Sequence, residues 1–199
     1  MTGQQGETAM KWLIASDIHG SFFYADLVLK RCRTERADGL ILLGDLLYHG
    51  PRNDLPKEYD PKKTAAALNA YDGRIMCVRG NCEAEVDQMM LDFPVMADYS
   101  LMTWNAVLIY MTHGHLASEQ NPPALKAGDI LLAGHTHVPA CRENRSFVYM
   151  NPGSAGIPKE NSPHSYMTFE DGLFEWKDLE NGTCYMNYKI ESVPGDKMR

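Results

Sequence analysis

Apolar runs recur along the chain, and each stops abruptly at a small or polar residue. Leu13-Ile14-Ala15-Ser16 runs into Asp17-Ile18-His19-Gly20. Leu40-Ile41-Leu42-Leu43 runs into Gly44-Asp45, and Arg74 to Arg79 runs into Gly80-Asn81-Cys82-Glu83. Ala106 to Thr112 ends at His113-Gly114-His115, and Asp129 to Ala133 ends at Gly134-His135-Thr136-His137. Short continuous apolar runs bounded by turn residues predict strands covered on both faces. Between the first two, Phe22, Ala25, Leu29 and Cys32 recur at spacings of three and four, which predicts a helix over 21–37. Together these make a strand–helix–strand unit. Residues 48–63 carry three prolines and predict an ordered loop, with a short helix over 64–69 begun by Asp60-Pro61. Glu85 to Leu91 predicts another short helix, 99–104 and 106–112 a strand pair turning near Asn105, and 124–127 a small helical turn. Ser146 to Met150 leads into Asn151-Pro152-Gly153-Ser154. The tail alternates as antiparallel strands over 165–170, 173–179 and 183–190, with turns at Asp171-Gly172 and Asn181-Gly182. Parallel units early and hairpins late predict one α/β domain over 1–199 with its core at about 10–190, a loose leader over Met1–Ala9 and a loose charged end.

Composition narrows the function classes. The 199 residues suffice for a sizeable core, and 44% hydrophobic content is globular. A net charge of -7 speaks against a nucleic-acid polymer as partner, although a local basic pocket is compatible with it. No apolar window is long enough for a membrane span, and the polar start carrying Glu7 is unlike a signal peptide. Five cysteines without paired spacing suggest free thiols in a reducing cytoplasm. Edge strands and the late aromatic hairpins could support a homodimer.

The chemistry is concentrated just past the strands. Asp17, His19, Asp45, Asn81, His113, His135 and His137 each follow an apolar run. Ligands in open α/β sheets gather beyond the carboxyl ends of strands. Seven oxygen and nitrogen donors exceed what one metal needs and suit two divalent ions sharing a carboxylate, with Mn, Fe, Zn or Co favoured over Mg. Singly, each has an ordinary explanation: Asp17 could cap the following helix, Asp45 could shape a turn, and His113 and His115 could be surface histidines.

As an ordered set, Asp-x-His, Gly-Asp, Gly-Asn, His-Gly-His and Gly-His-Thr-His resemble the metallophosphoesterase, or calcineurin-like phosphoesterase, superfamily. The Tyr-His-Gly-Pro-Arg-Asn loop and the Asn-Pro-Gly-Ser motif are most similar to its small bacterial and archaeal phosphodiesterases of the YfcE type. The resemblance spans about residues 10–188. It implies a four-layer α/β/β/α sandwich of two mixed sheets packed face to face with helices outside. It implies that Asp17, His19 and His137 hold one metal, that Asn81, His113 and His135 hold the other, and that Asp45 bridges both. Two divalent ions, Mn foremost with Ni as a further candidate, would then activate a water for in-line attack on a small phosphodiester. The superfamily also contains phosphomonoesterases and nucleotidases, and a retromer-type subunit that serves in protein assembly.

One position departs from the family pattern. Cys82 stands where many members carry a histidine that assists the phosphate and protonates the leaving group, while Glu83 remains. A thiol carries no positive charge and donates weakly. His115 is the candidate substitute for that role, and Cys82 is otherwise a small filler behind the site. Arg52, Arg79 and Arg142 are candidate phosphate contacts. Tyr48 and His49 are candidates to face the pocket, and Asn151 to hydrogen-bond near it or cap a turn.

Overall fold

The computed structural model describes residues 10–191; the expected loose leader falls outside them, as does most of the charged end. In chain order the elements are β1 (Trp12–Ala15), α1 (Phe22–Glu35), β2 (Gly39–Leu42), α2 (Pro61–Asn69), β3 (Arg74–Cys77) and α3 (Glu85–Met90). The second half is all strand: β4 (Tyr99–Trp104), β5 (Val107–Thr112), β6 (Ile130–Ala133), β7 (Ala140–Glu143), β8 (Val148–Asn151), β9 (Ser165–Glu170), β10 (Leu173–Asp178) and β11 (Cys184–Lys189).

These form two mixed sheets, one ordered β11-β10-β9-β1-β2-β3 and the other β4-β5-β6-β8-β7. The strands β1, β2 and β3 are parallel, and β5, β6 and β8 are parallel in the other sheet. The late hairpin strands fold back antiparallel on β1. Alternation decides what each side chain meets. Leu13, Ala15, Leu40 and Leu42 face the helices and meet Ala25, Val28 and Leu29 of α1 and Leu68 of α2. Ile14 and Ile41 point the other way, into the seam between the sheets, with Ile109, Ile130, Leu132, Phe174 and Trp176. Each such side chain contributes roughly 1.5–3 kcal/mol by leaving water. The outer face of the second sheet carries a smaller cluster of Leu131, Ala133, Ala140, Phe147 and Tyr149, with Leu125 against it.

Local signals set most boundaries. Ser21 caps α1, its hydroxyl accepting from the Tyr24 amide at 3.3 Å, so Asp17 is released from that task. Asp60 caps α2 by accepting from the Lys63 amide at 3.0 Å, and Pro61 occupies the first turn. Asp171 and Gly172 both have positive φ, 46° and 73°, the geometry of a two-residue hairpin turn. One expectation changes, and one strand is new. Residues 124–127 form no helical turn; the connector there is irregular up to a turn at Ala127 and Gly128. The edge strand β7 has no apolar run to announce it, because Arg142 and Glu143 lie on an exposed margin and pairing with β8 defines it. Among the described residues no helix is long and apolar enough to cross a membrane.

Candidate metal centre

The parallel strands of both sheets end on the same side. Asp17 and His19 follow β1, Asp45 follows β2, Asn81 follows β3, His113 follows β5, and His135 and His137 follow β6. The chain turns sharply to aim them. Asp17, His19, Asp45, His135 and His137 all take left-handed backbone angles, with φ from 52° to 68°. Such a conformation costs a non-glycine residue on the order of 1–3 kcal/mol. Backbone hydrogen bonds to the loop after β2 hold it at the first two: Asp17 N donates to Gly44 O at 3.1 Å, and His19 N to Asp45 O at 2.8 Å. Gly80 and Gly134 allow the carboxylates to sit against backbone, since a Cβ at either would collide with Asp45 or with Ser16 and Asp17.

The histidine rings are oriented from behind. Nδ1 of His19, His113 and His137 lies 2.7, 2.6 and 2.6 Å from the carbonyl oxygens of Tyr48, Leu43 and Ile157. A carbonyl only accepts, so each Nδ1 carries the proton and each Nε2 presents its lone pair inward. His19 Nε2 and His137 Nε2 then face each other at 3.3 Å. His135 is turned the other way, its Nδ1 lying 3.2 Å from His113 Nε2, which is also 3.2 Å from Asn81 Oδ1. Converging lone pairs repel one another, and a positive charge among them, a metal ion or in its absence a proton on His113 Nε2, removes the conflict.

The carboxylates divide their oxygens between scaffold and centre. Asp17 Oδ2 accepts from Ser16 Oγ at 2.6 Å and from the His135 amide at 3.0 Å. Its Oδ1 is buried without a hydrogen-bond partner, 3.3 Å from His137 Nε2 and 3.7 Å from His19 Nε2. A buried, unpaired carboxylate oxygen calls for a positive partner. Asp45 Oδ1 accepts from the Cys82 amide at 2.9 Å, while Oδ2 stands 3.6 Å from His19 Nε2 and 3.5 Å from His113 Nε2. Asp17, His19 and His137 make one group able to hold an ion, and Asp17, Asp45 and His113 a second that overlaps it. A further group joins Cys82 to His19 and Asp45. The overlapping clusters form a dinuclear divalent-metal site.

Charge follows this geometry. Burial alone would raise the Asp17 pKa, but the charge of His113 and the close approach of the His137 and His19 imidazoles hold it well below the usual carboxylate range. Burial likewise opposes ionisation of Asp45, and His113 more than offsets it. Burial would lower His113, yet the charges of Asp17 and Asp45 lift it to about 9. Without metal, the His113 imidazolium therefore stabilises the fold fully below about pH 6.5, its unfolded value, and that contribution is lost as pH rises through about 9. The effect is on the order of 3 kcal/mol. Thermal melts of chelated protein are expected to fall between about pH 6 and pH 9.5. A melting temperature that is flat or rising across that window would remove the His113 ion from the account.

A family signature now decides the kinship: the calcineurin-like phosphoesterase superfamily domain matches residues 10–171. The chain belongs to that superfamily. Phosphodiesterase YfcE of Escherichia coli (strain K12) is 45% identical over 157 residues, which cover 79% of this chain and 85% of that protein. The structure of Yfce, described as a phosphoesterase from E. coli, superposes with a TM-score of 0.88 at 39% identity, over 92% of this chain and all of that one. Wild-type Vps29 with Zn2+ from Entamoeba histolytica shares the fold, with a TM-score of 0.57 at 18% identity over 92% of this chain and all of that one. Superfamily membership and the paired ligand clusters make this chain a metal-dependent phosphoesterase.

The superfamily motifs open onto a polar cavity of about 370 Å³ lined by His19, Asp45, Asn81, Cys82, His135 and His137, with Arg52 and Lys159 at its walls. Of the arginines picked from sequence, Arg52 reaches this cavity. Arg79 instead pairs with Asp98 at 2.7 Å, and Arg142 forks onto Glu119 at 2.6–3.1 Å. His115 lies on the far side of His135, in a separate cleft with Glu119 and Arg142. Burial and the neighbouring His113 charge lower its pKa. Burial, then the charges of Asp45 and Glu83, push the Cys82 thiol up, so it stays neutral. Asn151 donates to Gly134 O at 2.7 Å and Thr136 Oγ1 at 3.1 Å, which braces the Gly-His-Thr-His turn.

Sequence reasoning missed several supports. Lys159 gave no local signal beyond following the Asn-Pro-Gly-Ser motif. Ser154 Oγ donates to Asp17 O at 2.7 Å across 137 residues. Glu83 accepts from the amides of Asp45, Leu46 and Gly80 at 2.8, 2.7 and 2.6 Å, which ties the β2 and β3 loops together. Burial raises its pKa, and the amide donors pull it back.

Proposed function

We propose that the chain hydrolyses a small phosphodiester. Asp17, His19 and His137 hold one divalent ion, Asn81, His113 and His135 the other, and Asp45 serves both. Mixed oxygen and imidazole donors suit Mn, with Ni, Zn, Fe or Co as alternatives. Such ions, when bound, neutralise charge on phosphoryl oxygens and lower the pKa of water enough to supply a nucleophile near neutral pH.

The chain's own residues do the positioning. Tyr48, Leu43 and Ile157 carbonyls fix three imidazoles in the ligating tautomer. Arg52 and Lys159 line the cavity with positive charge, which favours an anionic ester. The observation that carries the diester reading is Cys82, a neutral thiol lining that cavity beside Asp45. It offers neither a cation to a monoester dianion nor a ready proton to a departing alkoxide. A diester carries one less charge, and an activated leaving group departs unprotonated.

The test compares bis(para-nitrophenyl) phosphate with para-nitrophenyl phosphate, using Mn-loaded protein. The diester is expected to show a kcat/KM higher by about tenfold or more. Cys82→His restores an imidazole and is expected to raise monoester turnover about tenfold. Turnover of monoesters alone by the wild type would sink the diester reading.

A further inference from the structure

A second cavity of about 530 Å³ adjoins the polar one and shares Cys82 with it. Its walls are Leu47, Tyr48, Tyr59, Ala84, Val86 and Met90. Two further residues there are charged. Lys62 is exposed, and the Asp87 carboxylate is already used, accepting from the Ala84 amide at 2.8 Å. The pocket is therefore apolar inside, yet it opens beside a site made for an anion. Tyr48, Val86 and Met90 stay 42%, 60% and 42% exposed, so none of the described residues covers them.

The pocket is also held open. The long loop is strapped over Gly20, directly after His19: Asp60 N donates to Gly20 O at 2.8 Å, Phe22 N to Glu58 O at 3.1 Å, and Ser21 Oγ to Lys57 O at 2.6 Å. The Tyr59 ring lies where a Cβ of Gly20 would be, and His49 meets that ring edge-on with centroids 5.2 Å apart. Tyr48 is fixed by the same carbonyl that orients His19. A wall built in advance loses little freedom on binding.

A phosphodiester brings two organic groups to the phosphorus, and each must go somewhere. With the phosphate in the polar cavity, a substituent on the Cys82 side enters the apolar one. We propose, resting on the phosphodiesterase reading, that this pocket seats one ester group of the substrate and that the group is an uncharged aromatic ring. Two tyrosines and a methionine offer ring faces and a polarisable thioether, which suit a flat aromatic better than a sugar or an alkyl chain.

The experiment measures diphenyl phosphate and dimethyl phosphate as competitive inhibitors of the Mn-loaded enzyme, with methyl para-nitrophenyl phosphate as substrate. Both ester positions of each inhibitor are identical, so the in-line geometry does not matter. Wild type is expected to bind the diphenyl ester at least about tenfold more tightly. The ratio is expected to drop below about threefold in the double variant Val86→Thr with Met90→Gln, and likewise in Ala84→Trp, which fills the pocket. All three positions are exposed, so the fold is not at stake. A wild-type ratio near one, or a ratio unchanged in both variants, would overturn the proposal. A wild-type dimer that the double variant dissociates, with the ratio unchanged, would give the pocket to a second copy instead. If the wild type hydrolyses para-nitrophenyl phosphate and leaves the methyl diester untouched, it is the phosphodiesterase reading that fails.

Discussion

Asp45→Asn is expected to lower kcat on an activated diester by at least about a thousandfold while the fold survives. Asp45 Oδ2 is the carboxylate atom that stands 3.6 Å from His19 Nε2 and 3.5 Å from His113 Nε2, one histidine from each sheet. Asparagine keeps the shape and can keep the bond from the Cys82 amide. It then turns a neutral NH2 toward the imidazoles, and that group has no lone pair for an ion. Asparagine also tolerates the left-handed angle at this position, φ 56°, which alanine does not. The change thus separates chemistry from backbone strain. Asp45 is 2% exposed and its charge helps hold the His113 imidazolium, so its loss is also expected to lower metal-free stability, by about 1–3 kcal/mol. Turnover, metal content and a thermal melt check the three parts. Activity within tenfold of wild type at full metal content would take Asp45 out of the chemistry.

Removal of metal should be as damaging to turnover, and reversible. After dialysis against a strong chelator, hydrolysis is expected to fall by about a thousandfold or more, and Mn is expected to restore it better than Mg. The ground is the buried Asp17 Oδ1 with no hydrogen-bond partner and the imidazole nitrogens facing one another at 3.2–3.3 Å. Ions that bind only the folded chain also stabilise it, by about 2.7 kcal/mol per site at a hundredfold excess over Kd. The melting temperature should therefore fall with the activity and return with it. Chelated protein that hydrolyses diesters undiminished would refute the metal-dependent reading of this site.

The parts legible in the sequence were those written locally. The fully buried strands β1, β2 and β6 announced themselves as unbroken apolar runs because both faces are covered. The residues that follow them were legible for the same reason, since a strand delivers what comes next to its end. β7 was not legible, because an exposed edge needs no apolar pattern. Neither was the support behind the centre: Ser154 reaching Asp17 across 137 residues, or Glu83 gathering three amides. These contacts depend on how two distant loops meet, which no local period records. Spacing likewise placed His115 beside His113, and the ring centroids do lie 5.5 Å apart, but His115 lines the neighbouring cleft and not the polar cavity, which spacing does not record. The two-sheet arrangement came from the family motifs, not from periodicity.

The candidate ligands sit astride the line where the two sheets meet. Asp17, His19, Asp45 and Asn81 belong to one sheet, and His113, His135 and His137 to the other. Ions held among them act as rivets through the joint. Without them the mouth of the joint loses these cross-links, and local opening should begin there. Proteases cleave what opens. A cell's metal supply would then set how long each copy of this protein lasts before it is degraded.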